Sequence, residues 1–337
     1  MENKYVVSRF SNEDRDALFS KYEQVYGINK SIVEKDYWVT FILQYLFHDS
    51  PFKDYFIFKG GTSLSKCFHV INRFSEDIDL ILKWWNLTDD DPNKARSKTQ
   101  QDKYNKKLNS LAQEFLAEKF VPTLQEDLKR YINGSFDLEL EVDKQTINFA
   151  YPRLYKGSDA GILEYIKLEI GPLAALTPTE DAEVSPLINE LDISEIKSAP
   201  TLVPTVTAAR TFWEKATILH QEANRPKEKP IPLRYSRHYY DVYQLGSSEY
   251  KQLALGDLNL LRTVAMFKKK FYPNNWAKYD EAYPPNLKLV PPDYRNKELE
   301  KDYESMRDMI YKNRPEWKDI IAYLGVLEKE INNLPCK

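Results

Sequence analysis

The feature that most constrains this chain is a short apolar run that breaks at a glycine pair and is followed by an alternating acidic strand. Tyr55-Phe56-Ile57-Phe58 reads as a buried strand, Gly60-Gly61 as a turn, Ser63 to Ile71 as a helix, and Asp77 to Leu82 as the next strand. In a strand, residues two apart project on one face, so Asp77 and Asp79 point together while Ile78, Leu80 and Leu82 enter the core. Two adjacent carboxylates repel unless a cation neutralises them, and Mg²⁺ takes carboxylate oxygens together with substrate phosphates. The same pattern on a solvated strand face is commonly inert. The preceding turn, Gly60-Gly61-Thr62-Ser63, tips the balance: glycines admit close backbone approach, and a helix start offers free N–H groups to a phosphate. Lys66 sits between Ser65 and Cys67, so the Gly-Lys-Ser/Thr core of a Walker loop is missing and that reading is rejected.

Around this centre the chain reads as α+β: an N-terminal mixed β-sheet flanked by helices, followed by a mostly helical C-terminal part. Residues 31–47 form a helix with Ser31 as N-cap and Glu34 completing a capping box, too apolar for a surface helix. Residues 101–131 are an amphipathic helical region. Phe136 to Phe149 and Leu163 to Ile170 alternate with period two; Leu138, Leu140 and Val142 face one way, Asp137, Glu139, Glu141 and Asp143 the other. Pro172, Pro178, Pro186, Pro200 and Pro204 mark a seam, which sets domains at 1–200 and 201–337. The second is helical over Thr207–Ala223, Arg237–Leu245, Asn259–Phe271 and Pro315–Asn332.

At 337 residues, 42% hydrophobic and 29% charged, the chain holds enough apolar material for one large domain or two packed ones. It shows neither an N-terminal leader pattern nor an apolar run of membrane-spanning length, so no membrane association and a cytoplasmic location are expected. Cys67 and Cys336 lack metal or disulfide-framework spacing. A net charge of −3 argues against indiscriminate polyanion binding but leaves room for local basic patches.

The strand, glycine turn, helix and Asp-x-Asp strand resemble the DNA polymerase β-like nucleotidyltransferase superfamily. More narrowly, Phe58-Lys59-Gly60-Gly61-Thr62-Ser63-Leu64-Ser65-Lys66, Arg73-Phe74-Ser75-Glu76-Asp77-Ile78-Asp79-Leu80 and Glu34-Lys35-Asp36-Tyr37-Trp38 resemble the AbiEii/AbiGii-type toxins of toxin–antitoxin systems. Phe212-Trp213-Glu214-Lys215-Ala216, Arg237-His238-Tyr239-Tyr240-Asp241, Phe271-Tyr272-Pro273 and Trp276-Ala277-Lys278-Tyr279-Asp280 continue the resemblance in order. It implies a nucleotidyltransferase that uses an NTP and Mg²⁺ in a two-metal site, is held by a cognate antitoxin, and acts on RNA, with the 3′ end of tRNA as one acceptor.

The resemblance assigns Asp77 and Asp79 as metal-binding catalytic residues and Gly60, Gly61, Thr62, Ser63, Lys66 and Ser75 as nucleotide contacts. A third carboxylate from a neighbouring strand is expected. Glu169 is favoured, with Glu141 and Glu139 as rivals. Lys215 projects from a stripe of Thr211, Phe212, Ile218 and Leu219, so its ammonium wants an anion: a nucleotide phosphate, or a carboxylate such as Asp241. Asp241 would orient Lys215 or assist proton transfer, or else pair with Arg237 one turn earlier. Arg73 is a candidate bidentate phosphate contact.

Residues 210–240 carry seven Arg or Lys against three Glu, a local +4, and Phe267-Lys268-Lys269-Lys270-Phe271-Tyr272 interleaves cations with aromatics. Both fit RNA, and both equally fit a solvated helix face. Besides an RNA-directed toxin, the residues allow the same chemistry on a protein or small molecule, or a non-catalytic nucleotide-binding module.

Overall fold

The computed structural model describes residues 3–75, 77–156 and 163–335; Glu76 of the acidic motif and Cys336 lie outside them. By internal packing the chain divides into two compact units, one of residues 1–67 and 74–205, the other of 68–73 and 206–337.

The first unit begins with α1 (Asn12–Tyr26) and α2 (Lys30–Gln44). Every residue of α2 from Ser31 to Gln44 is buried, which is why so apolar a helix is tolerated. Its cap differs from the expected capping box. Asn29 is the N-cap and accepts from the Ser31 N–H at 2.9 Å. Glu34, freed from capping, instead accepts the backbone N–H of Leu154 at 2.8 Å. Then come β1 (Phe56–Lys59), α3 (Gly60–Lys66) and β2 (Asp77–Leu82). Two helices follow, α4 (Lys98–Phe115) and α5 (Val121–Leu128), joined by a π-helical turn.

The sheet is completed by β3 (Asp137–Leu140), β4 (Thr146–Ala150), β5 (Ile166–Gly171), β6 (Thr179–Val184) and β7 (Thr201–Val206). Its seven strands run in the order β3-β4-β5-β2-β1-β7-β6 and are mixed in direction: β1 is antiparallel to β2, and β2 parallel to β5. The strand expected over Phe136–Phe149 is a hairpin. The Asp143 carboxylate accepts the N–H groups of Gln145 and Thr146 at 2.8 and 2.9 Å, an Asx turn that reverses the chain. Val142, expected on the core face, therefore sits fully exposed in that turn. The proline-punctuated stretch read as a seam also holds β6 and β7. Pro204 cannot donate to a ladder, and β7 registers with β1 at Phe58↔Thr205.

The second unit is helical: α6 (Ala208–Ala223), α7 (Arg237–Gly246), α8 (Tyr250–Leu255), α9 (Leu258–Phe271), α10 (Asp293–Ser305) and α11 (Trp317–Asn332). Thr207 and Asp257 cap α6 and α9, accepting from Arg210 and Leu260. The inserted segment 68–73 bonds here, with the Asn72 carbonyl accepting from Tyr311 and Arg73 bridging to Ile310. Among the described residues no helix is long and apolar enough to cross a membrane.

Candidate active site

The glycine turn and the acidic strand are one packed feature. Antiparallel pairing sets Lys59 opposite Asp79, so the chain turns at Gly60 directly beside that carboxylate. Gly60 has φ +86°, and a Cβ there would lie 1.9 Å from Asp79 Oδ2 and 2.7 Å from its Cγ. Any side chain at 60 would occupy the place of the Asp79 carboxylate. The buried Thr62 hydroxyl donates to the carbonyl of Asp77 and, at 3.4 Å, to that of Ser75; Ser63 Oγ donates to the Gly60 carbonyl at 2.9 Å. Those hydroxyls, expected on a phosphate, are committed to backbone and tie the turn to the acidic strand. The helix starts at Gly60, before Ser63, and ends at Lys66, short of Ile71.

Lys66 also has a different place from the one expected. Its ammonium is buried and bonds Asp36 Oδ1 at 2.6 Å and the Ser185 carbonyl at 2.7 Å. The other Asp36 oxygen accepts the Leu187 N–H at 2.8 Å. An ammonium held this way fastens α3 to α2 and is withheld from a phosphate.

Register orders the three rival carboxylates. Asp77 pairs with Lys167 and Asp79 with Glu169, so all four share a face of adjacent strands. Glu139 lies two strands beyond β5, opposite Asn148 on β4. Glu141 is engaged by Lys167 at 2.9 Å. The Glu141 hydrogen bond raises the Lys167 pKa, with the Asp77 charge adding to it. Among the described residues no three His, Cys, Asp or Glu side chains converge on one point that could hold a metal ion, so the three-carboxylate set is not gathered. The oxygen-only pair Asp77 and Asp79 still suits a Mg²⁺ ion, which fills most of its shell with water and substrate phosphate.

The second unit has its own buried charged cluster. Asp241 accepts from Arg73 Nε and Nη2 at 2.7 and 2.9 Å and pairs with Lys215 Nζ at 3.0 Å. Arg73, expected on a phosphate, is thus bidentate on a carboxylate, and Asp241 pairs with it and Lys215 in place of Arg237. Burial alone would raise the Asp241 pKa; Arg73 and Lys215 outweigh it and hold the carboxyl well below its ordinary range. Burial lowers the Lys215 pKa, opposed by Asp241. His238 Nδ1 lies 3.4 Å from the Lys215 ammonium, and burial followed by that charge keeps the imidazole neutral. His238, within the Arg237–Asp241 motif but without metal-ligand spacing in the sequence, enters the cluster by lying three residues before Asp241 on α7. The cations of α9 are largely spoken for: Lys268 donates to the Glu214 carbonyl at 2.8 Å and Lys269 pairs with Asp280 at 2.7 Å.

The family model described as nucleotidyl transferase AbiEii toxin, type IV TA system, matches residues 42–323. Among solved structures the chain is similar to MenT4, the nucleotidyltransferase toxin Rv2826c from Mycobacterium tuberculosis H37Rv, at 15% identity and a TM-score of 0.45, over 96% of this chain and 97% of that one. No curated protein matches the sequence.

Proposed function

This chain belongs to the AbiEii family of nucleotidyl transferase toxins of type IV toxin–antitoxin systems, and we propose that it transfers the nucleoside monophosphate of an NTP to the 3′ end of a tRNA in the cytoplasm. The observation that carries the reading is the Gly60–Asp79 packing, which fixes an Asp77/Asp79 pair on one face of β2 beside the in-register Glu169.

In the proposed reaction the acceptor hydroxyl loses its proton to solvent as its oxygen forms a bond to the α-phosphorus, the bond to the bridging oxygen breaks, and pyrophosphate leaves with that electron pair. Asp77 and Asp79 would hold Mg²⁺, with Glu169 the in-register candidate for a further ligand, and the bound cation would supply charge neutralisation to the phosphate oxygens. Gly60 and Gly61 let backbone approach the nucleotide, while Thr62, Ser63 and Ser75 shape that turn. Lys215 and Asp241 are carried over as catalytic candidates on the family pattern alone, with Asp241 orienting Lys215 at 3.0 Å. Arg225 and Lys229, which lie 4.8 and 5.6 Å from the Trp276 ring, support an RNA acceptor. A cognate antitoxin made as a separate product would hold the toxin in check.

The test incubates the protein with each labelled NTP, Mg²⁺ and either total RNA or whole lysate. Label is expected in RNA of tRNA size, and Asp77→Ala should abolish both labelling and growth inhibition. Label in protein or in small molecules would move the acceptor. No label anywhere, with growth inhibition unchanged in Asp77→Ala, would refute the enzymatic reading.

A further inference from the structure

Lys167 stands on the acidic face of the sheet without a part in the chemistry above. Lys167 is in register with Asp77 on the adjacent parallel strand, so its stem rises from the same face as both aspartates and Glu169. Its ammonium turns to Glu141, 2.9 Å away, at the end of the hairpin turn, and the pair is neither sealed nor fully solvated, with side chains 24% and 33% exposed. In register with Lys167 on its other side stands Asn148, a neutral neighbour. A lysine has a flexible four-carbon stem and compact charge, so it can exchange one anionic partner for another within reach of the same strand position.

We infer that Lys167 is a nucleotide-binding residue that leaves Glu141 to contact the triphosphate of the incoming NTP. A triphosphate brought to the Asp77/Asp79 face carries several negative charges to a surface already acidic. The strands supply this face with Lys59, opposite Asp79 at the end of β1, and with Lys167, the one in register with Asp77. Glu141 then acts as a holding partner, keeping the ammonium off the aspartates until substrate arrives, and competes with the nucleotide for it.

The inference rests on the nucleotidyltransferase reading, and two readouts keep them apart: steady-state transfer, and the Kd of a non-hydrolysable NTP analogue measured on the full chain. Lys167→Met should raise KM and Kd about tenfold or more, the loss of one charge-assisted contact, while kcat changes less than about threefold. Lys167→Arg should restore most of the affinity. Glu141→Gln should lower KM and Kd, because it removes the competing carboxylate. A merely structural ion pair would make Lys167→Met and Glu141→Gln behave alike; KM and Kd rising in both, or unchanged in Lys167→Met, overturns the inference. A wild-type chain that binds the analogue with Lys167-dependent affinity yet transfers nothing would count against the transferase reading alone.

Discussion

Replacing Gly60 with alanine should inactivate the protein while leaving it folded. The new Cβ would fall 1.9 Å from Asp79 Oδ2, where real contacts stay beyond 3.0 Å, so the carboxylate must retreat by about 1 Å or rotate away. A shift of that size in a reacting geometry costs on the order of a hundredfold in rate. The backbone adds its own cost, because alanine at φ +86° is disfavoured by about 1–2 kcal/mol. For a unit of this size that lowers Tm by roughly 2–8 °C. The clash falls on the rotatable end of a side chain, which confines the damage to the site. Labelled NTP incorporation and a thermal melt followed by circular dichroism read the two effects together. A folded Gly60→Ala protein keeping more than a third of wild-type activity would refute the argument. A Tm loss far beyond about 10 °C would show that backbone gave way in place of the carboxylate.

Lys66→Met should destabilise the first unit by about 3–5 kcal/mol, because it strands Asp36 as a buried unpaired carboxylate; chemical denaturation reads the loss, and a change under about 1 kcal/mol would contradict it. Asp241→Ala leaves Arg73 and Lys215 facing each other without their shared anion, and a loss of similar size is expected in melts of the second unit. Burial raises the Glu34 carboxyl from 4.5 to about 6, against the pull of the Leu154 and Tyr155 N–H groups. The unfolded chain then releases that proton first, so this group's contribution to stability falls by about 2 kcal/mol as pH rises from about 4.5 to about 6 and stays lost above it. Glu34→Gln should remove that loss, and equal pH dependence in the two proteins by urea titration would rule the assignment out.

What the sequence made legible was local and chemical. β2 runs over the residues expected of it, because an Asp-x-Asp pair interleaved with Ile78, Leu80 and Leu82 permits one strand register. The helices α6, α9 and α11 lie within two residues of their expected bounds, two of them marked by capping side chains. The hairpin after β3 stayed hidden because Glu141, Val142 and Asp143 continue the alternation of a strand, while the turn is made by what the Asp143 carboxylate bonds. Pro178 and Pro186 flanking β6, and Pro204 inside β7, concealed these strands, because proline cannot donate to a ladder and reads as a break. Charged side chains were hardest. Lys66, Arg73 and Lys167 were legible as cations, but their partners, Asp36, Asp241 and Glu141, are 26 to 168 residues away in sequence. No periodicity encodes such pairings.

The six-residue insertion, 68–73, makes this protein hard to dissect. Chain passes from one unit to the other after Cys67, returns after Arg73 and passes again after Thr205. A cut at 205 would look like a clean division, yet the severed C-terminal piece would lack Arg73 and so the bidentate partner of its most deeply buried acid. Transplanting either half into another protein would carry the same flaw. A division that preserves the Arg73–Asp241 pair must therefore carry residues 68–73 along with the C-terminal half.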